Sequence, residues 1–153
     1  MGLDMYLTKS IYVGGMYEHR QVKGEINITA YGKKIPVDLS KVSEIREQVM
    51  YWRKANQIHN WFVENVQGGV DDCKEYHVSQ EKLKELVTLC KKVLLEKSVL
   101  QNKELAKELI PTTSGFFFGS TEYDDYYFEE LQDTINALEN LDPNCDYYYR
   151  ASW

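Results

Sequence analysis

The sequence is short of cysteine, arginine and long apolar runs, and each shortage closes off a class of protein. Its three cysteines (Cys73, Cys90, Cys145) are odd in number and widely spaced. They supply neither a CxxC pair nor a disulfide framework, so a packed core has to hold the fold. Cys90 falls in an amphipathic helical pattern, where a small core residue is a simpler reading than a nucleophile. With only four arginines (Arg20, Arg46, Arg53, Arg150) and a formal net charge of -6, the chain has no cationic footprint for duplex nucleic acid. A local pocket for one anionic small molecule survives that exclusion, because overall charge says little about a single concave site. No apolar run approaches a membrane span and no signal-peptide pattern opens the chain, so the cytoplasm is expected and a membrane is not. P-loop, GxGxxG and GxSxG motifs are missing, and His19, His59 and His77 follow no zinc spacing. Neither a cofactor nor a metal is implied.

Aromatics are what the chain has in quantity: 12 Tyr, 5 Phe and 3 Trp, or 13% of 153 residues. They bury much area, and Tyr and Trp keep a polar tip for recognition. That supply suits a binding surface or an oligomer interface as well as a core.

Period-2 alternation predicts a strand over Leu3–Leu7, extended by Ile11-Tyr12-Val13 and broken at Gly14-Gly15. A second strand is expected over Glu25–Ala30. Tyr31-Gly32-Lys33-Lys34 reads as a turn and Ile35-Pro36-Val37 as an edge return. Val42 to Met50 is ambiguous, since Val42, Ile45, Val49 and Trp52 follow helical spacing; a strand or irregular entry is preferred. Tyr76-His77-Val78 is extended, and Ser79 caps a helix with the stripe Leu83, Leu86, Val87, Cys90, Val93 and Leu94. A further helix stops at Pro111, and the last carries Tyr127, Leu131, Ile135 and Leu138. The tail Tyr147-Tyr148-Tyr149 has strand character. One α+β domain over residues 1–153 follows, with a small, mostly antiparallel sheet against about three to four helices. The tail, 143–153, either completes the sheet or clasps a second copy, so a homo-oligomer is expected.

The stretch from Tyr51 to Val63 organises the rest. Read as a helix beginning near Trp52, it places Trp52, Ala55, Asn56, His59, Phe62, Val63 and Val66 on an inward face and Arg53, Gln57, Asn60 and Glu64 outside. Asn56 and His59 then need partners in the interior, either neighbouring groups or a ligand. In the ligand reading, Trp52, Trp61 and Phe118 stack a planar molecule, Asn56 reads its edge, and Arg53 or Lys54 holds its phosphate. Arg53, off the inner face, reaches such a pocket only at its rim or across a subunit boundary. Gly115 to Asp124 is the second constellation. It is either a buried strand of phenylalanines leading to a capped helix, or an anion site at a helix start built from Ser120, Thr121, Glu122 and Tyr123. The acids Glu122, Asp124 and Asp125 oppose a phosphate there.

Met1-Gly2-Leu3-Asp4-Met5-Tyr6-Leu7, the Tyr51–Val63 segment and Gly115-Phe116-Phe117-Phe118-Gly119-Ser120-Thr121-Glu122-Tyr123-Asp124 together resemble a family of small proteins encoded by phages and prophages. Asp71-Asp72-Cys73 and Tyr76-His77-Val78-Ser79 fit it too. The likeness covers most of the chain. Residues 99–108 and the tail fit least, and Met50 stands where the family has a smaller residue. The resemblance implies a phage setting, hence the host-cell cytoplasm, and brings no catalytic residues with it.

Three classes of function remain. One is a sponge that binds a small planar, phosphate-bearing, nucleotide-derived signal without catalysis and so blunts a bacterial defence. Another is a protein-binding inhibitor or adaptor of a host factor, anchored by tyrosines. The last is a small hydrolase using His59 with acids from Glu122 to Asp125.

Overall fold

Leu3, Met5 and Leu7 are fully buried while Asp4, Tyr6 and Thr8 between them are not. That alternation is the first strand, β1 (Asp4–Tyr12), of a computed structural model that describes residues 2–14 and 17–153. Gly15, half of the expected strand break, lies outside the described residues. From Gly14 to Ser43 the chain makes an excursion closed at its neck by the Val13 N–H donating to the Ser43 carbonyl at 3.0 Å. The excursion carries the hairpin β2 (Ile28–Ala30) and β3 (Lys33–Ile35), with Tyr31 and Gly32 as its two-residue turn. Both turn residues have positive φ, 52° and 70°, the primed geometry that matches strand twist. Lys33 and Lys34 are therefore paired strand residues rather than turn, and Glu25 to Asn27 precede the strand.

β4 (Glu44–Arg53) returns antiparallel to β1 and settles the ambiguous stretch as a strand that includes Trp52 and Arg53. The register steps from Leu7↔Met50 to Thr8↔Gln48, leaving Val49 as a bulge. Helix α1 (Asn56–Asn65) follows, then β5 (Tyr76–Val78), α2 (Gln80–Leu95) capped by the Ser79 hydroxyl, α3 (Val99–Leu109), α4 (Asp125–Leu138) capped by Asp124, and β6 (Asp146–Ser152). The strands order β4-β1-β6-β5, every pair antiparallel. The protein is thus a single α+β domain with four α-helices among the described residues.

β6 is an interior strand. Tyr147, Tyr149 and Ala151 face the core, so of the two roles expected for the tail it takes the first and completes the sheet. α2 and α4 pack on each other, and α4 lies on β4, where the Trp52 indole N–H donates to Thr134 Oγ1 at 2.9 Å. Among the described residues no helix is long and apolar enough to cross a membrane.

Candidate functional site

α1 starts at Asn56 rather than near Trp52, because the chain turns at Lys54. That residue is left-handed (φ 60°), and its N–H donates to the Leu3 carbonyl at 2.8 Å. A side chain at Gly119 is excluded by the same corner, since a Cβ there would lie 2.9 Å from Lys54 Cβ. Asn56 ties the helix to the segment beyond Pro111. Its Nδ2 donates to the carbonyls of Phe118 (3.1 Å) and Ser120 (2.8 Å), and its Oδ1 accepts from the Thr113 N–H at 3.0 Å. Both amide protons and one lone pair of Oδ1 are thus spent on main chain.

His59 is fully buried, with both ring nitrogens engaged: Nδ1 with the Tyr149 hydroxyl at 2.8 Å and Nε2 with Asp71 Oδ1 at 3.0 Å. The same Asp71 oxygen accepts from the Trp153 indole at 3.1 Å. Burial lowers the imidazole pKa, and Asp71 only partly offsets it. Burial also raises the Tyr149 phenol well above its ordinary value. Tyr149 stacks flat on Phe62, ring centroids 3.8 Å apart. The acid that His59 meets is Asp71 rather than one of the Glu122–Asp125 group.

The ten residues singled out from sequence are therefore spread over three places. Trp52, Trp61, His59, Asn56 and Phe118 are buried. Arg53 projects from β4 on the opposite side of the sheet from Trp52. Thr121 gives its carbonyl to the Thr112 hydroxyl, and the Tyr123 hydroxyl accepts the Thr112 N–H. Ser120 and Glu122 line a cleft of about 120 Å³ beside Lys54 and Gln57. Gln57, expected on the polar face, is buried. The phenylalanines do not form a buried strand: Phe118 is inside, but Phe116 and Phe117 sit at a turn, 84% and 51% exposed.

The other face of the sheet is open. Residues alternating with the core positions form rows across it, Tyr51–Tyr6–Arg150 and Gln48–Thr8–Tyr148–His77, with Arg53 and Arg46 beyond them. Three of the four arginines thus share one face with three tyrosines. Tyr6 and Tyr51 rings lie 5.3 Å apart, and the Tyr51 hydroxyl donates to Asp4. Arg46 lies over the Tyr148 ring at 4.7 Å while its guanidinium forks onto Glu75 with two bonds of 2.9 Å. That fork holds the Glu75 carboxyl below its ordinary pKa. Between these groups is a hollow of about 220 Å³ lined by Tyr6, Thr8, Glu75, Tyr148 and Arg150. Arg150 and Arg53 form no ion pair among the described residues, and the buried Thr8 hydroxyl has no partner.

Of the groups here, sequence reasoning weighed Arg53 alone. Alternation in β1 and β6 marks Tyr6, Tyr148 and Arg150 as outward residues, but nothing local says that these strands are neighbours. Among the described residues no group of His, Cys, Asp or Glu is arranged to hold a metal. No family model matches the chain, and neither a curated protein nor a solved structure matches it.

Proposed function

We propose that this protein binds a small planar molecule bearing an anionic group, on the open face of its sheet, and releases it unaltered. The observation that carries the reading is the hollow between Tyr6, Tyr148 and the unpaired Arg150. A benzene-sized ring occupies a cavity of roughly 150 Å³. About 220 Å³ therefore suits one ring system of a nucleotide-derived ligand, whose phosphate stays outside within reach of a guanidinium. The rings are set in advance, Tyr148 by Arg46 and His77 and Tyr6 by Tyr51, so little ordering is needed on binding. His59, buried with both nitrogens bonded, supports binding over hydrolysis. In the phage setting that the sequence resemblance implies, such a protein acts as a sponge for a nucleotide-derived defence signal.

The test is mass spectrometry of small molecules released by heat from protein purified out of phage-challenged cells, alongside Arg150→Ala. A ring-bearing anion recovered intact from the parent and missing from the variant is the expected result. A chemically altered ligand, or equal recovery from both proteins, overturns the reading.

A second reading, an adaptor for a host protein, is favoured by the exposed turn at Phe116 and Phe117. Their rings touch (centroids 4.2 Å apart), and Phe117 holds a left-handed backbone, φ 63°, that a phenylalanine rarely adopts. Loss of a pulled-down host protein on Phe116→Ser, with no metabolite retained by the parent, would select that reading instead.

A further inference from the structure

The small cleft at the start of α1 shares no lining residue with the hollow at Arg150 and is of different chemistry. Gln57 is one of its lining residues, 4% exposed, and its side-chain amide has no hydrogen-bond partner among the described residues. The adjacent Asn56 has both ends of its amide taken, so the contrast is between neighbours on one helix turn. The polar atoms of Gln57, which are not among the fully enclosed ones, open onto the cleft and are free to bond whatever occupies it. Around the rim stand one ammonium, Lys54, and two carboxylates, Glu122 and Asp124. None of the three is joined to another in an ion pair among the described residues, although all line the same hollow. Asp124 spends one oxygen on the Tyr127 N–H, capping α4, and its other oxygen makes no hydrogen bond. The Ser120 hydroxyl accepts from the Glu122 N–H and keeps its own proton to donate. Lys54 stands there at the cost of a left-handed backbone, its stem against Gly119 and Gly2.

We propose that this cleft binds a small α-amino-acid zwitterion. A hollow of about 120 Å³ holds about five non-hydrogen atoms by comparison with benzene in a slightly larger one, which is the size of glycine. The ammonium of the ligand meets Glu122 and Asp124, its carboxylate meets Lys54 and the Ser120 hydroxyl, and the Gln57 amide donates to the carboxylate through Nε2 or accepts from the ammonium through Oε1. A lone anion would face two carboxylates, and a lone cation would face the lysine. A molecule with both charges answers all three groups at once.

The experiment is an amide-proton NMR titration of the intact protein with glycine, and separately with acetate, methylammonium and inorganic phosphate. Glycine should shift the Gln57 side-chain amide and the Ser120 N–H saturably, with acetate and methylammonium each weaker by about ten-fold or more. Lys54→Gly removes the ammonium at a φ that glycine adopts freely, so the fold is kept and glycine affinity should fall about ten-fold. Gln57→Leu should remove the response while leaving the resonances of β1 and β6 in place. No saturable shift with glycine overturns the proposal. So do acetate or methylammonium binding as tightly as glycine, and unchanged affinity in Lys54→Gly. Loss of Arg150 should not affect this titration, so its failure and that of the sheet-face reading are told apart.

Discussion

Asn56 holds three main-chain groups of the 113–120 segment at once, and only a side-chain amide of that length has both donor and acceptor to do so. Asn56→Ala leaves two carbonyls and one N–H without partners in the interior. We expect a loss of about 3 kcal/mol, read from urea denaturation, with new protease cleavage between Thr113 and Ser120. His59 sets a pH dependence of definite sign. Unfolded, it takes a proton near pH 6.5; folded, its pKa is lower because burial penalises the imidazolium. The unfolded chain therefore binds more protons as pH falls below that value. The contribution of His59 is complete above about pH 6.5 and is lost as pH falls towards the folded pKa. Buried Glu130, its pKa raised by burial, works in the opposite direction. The clean observable is thus the difference between the parent and His59→Gln: the melting temperature of the parent should fall more steeply between about pH 7 and about pH 5.5.

Elements that keep one period from end to end are legible in the sequence: β1, α2 with its Ser79 cap, and α4. β4 is not, and its bulge is the reason. Val42, Ile45, Val49 and Trp52 mimic a helix because the extra residue at Val49 breaks the alternation that Met50 and Trp52 then resume. A chain read as helical through Trp52 then hides the left-handed corner at Lys54, and with it the separation of Trp52 from Asn56. Cross-strand position governs what can be removed. β6 pairs with β1 on one side and β5 on the other, so truncation after Asp142 should leave a chain without cooperative melting by circular dichroism. The 17–41 excursion is the converse case. Its strands pair only with each other and its residues face solvent, while the neck is already closed at Val13 and Ser43. Replacing it with a short Gly/Ser turn should change stability by less than about 1 kcal/mol.

At the scale of the whole molecule, the sheet divides two kinds of tyrosine that the sequence writes side by side. Tyr149 points to the helices, stacked on Phe62 and bonded to His59; Tyr148 points the other way, over Thr8 and under Arg46. Period 2 tells that they differ, and the charge of Arg150 marks the Tyr148 side as the outward one, but nothing local tells that Tyr6 and Arg150, at opposite ends of the chain, are cross-strand partners. Such a face is assembled only by long-range pairing, and no local pattern names its members. It follows that neighbouring substitutions should have opposite phenotypes. Tyr149→Ala empties a packed interior and strands His59, at a cost of about 3–5 kcal/mol. Tyr148→Ala gives up one solvent-facing ring pair, at less than about 1 kcal/mol. If the open face is where a planar anion binds, Tyr148→Ala melts near the parent temperature yet no longer retains the ligand. Tyr149→Ala loses both, and regains binding when refolded at low temperature. A Tyr148→Ala protein that retains its ligand would separate the aromatic surface from binding and leave that surface for contact with another protein.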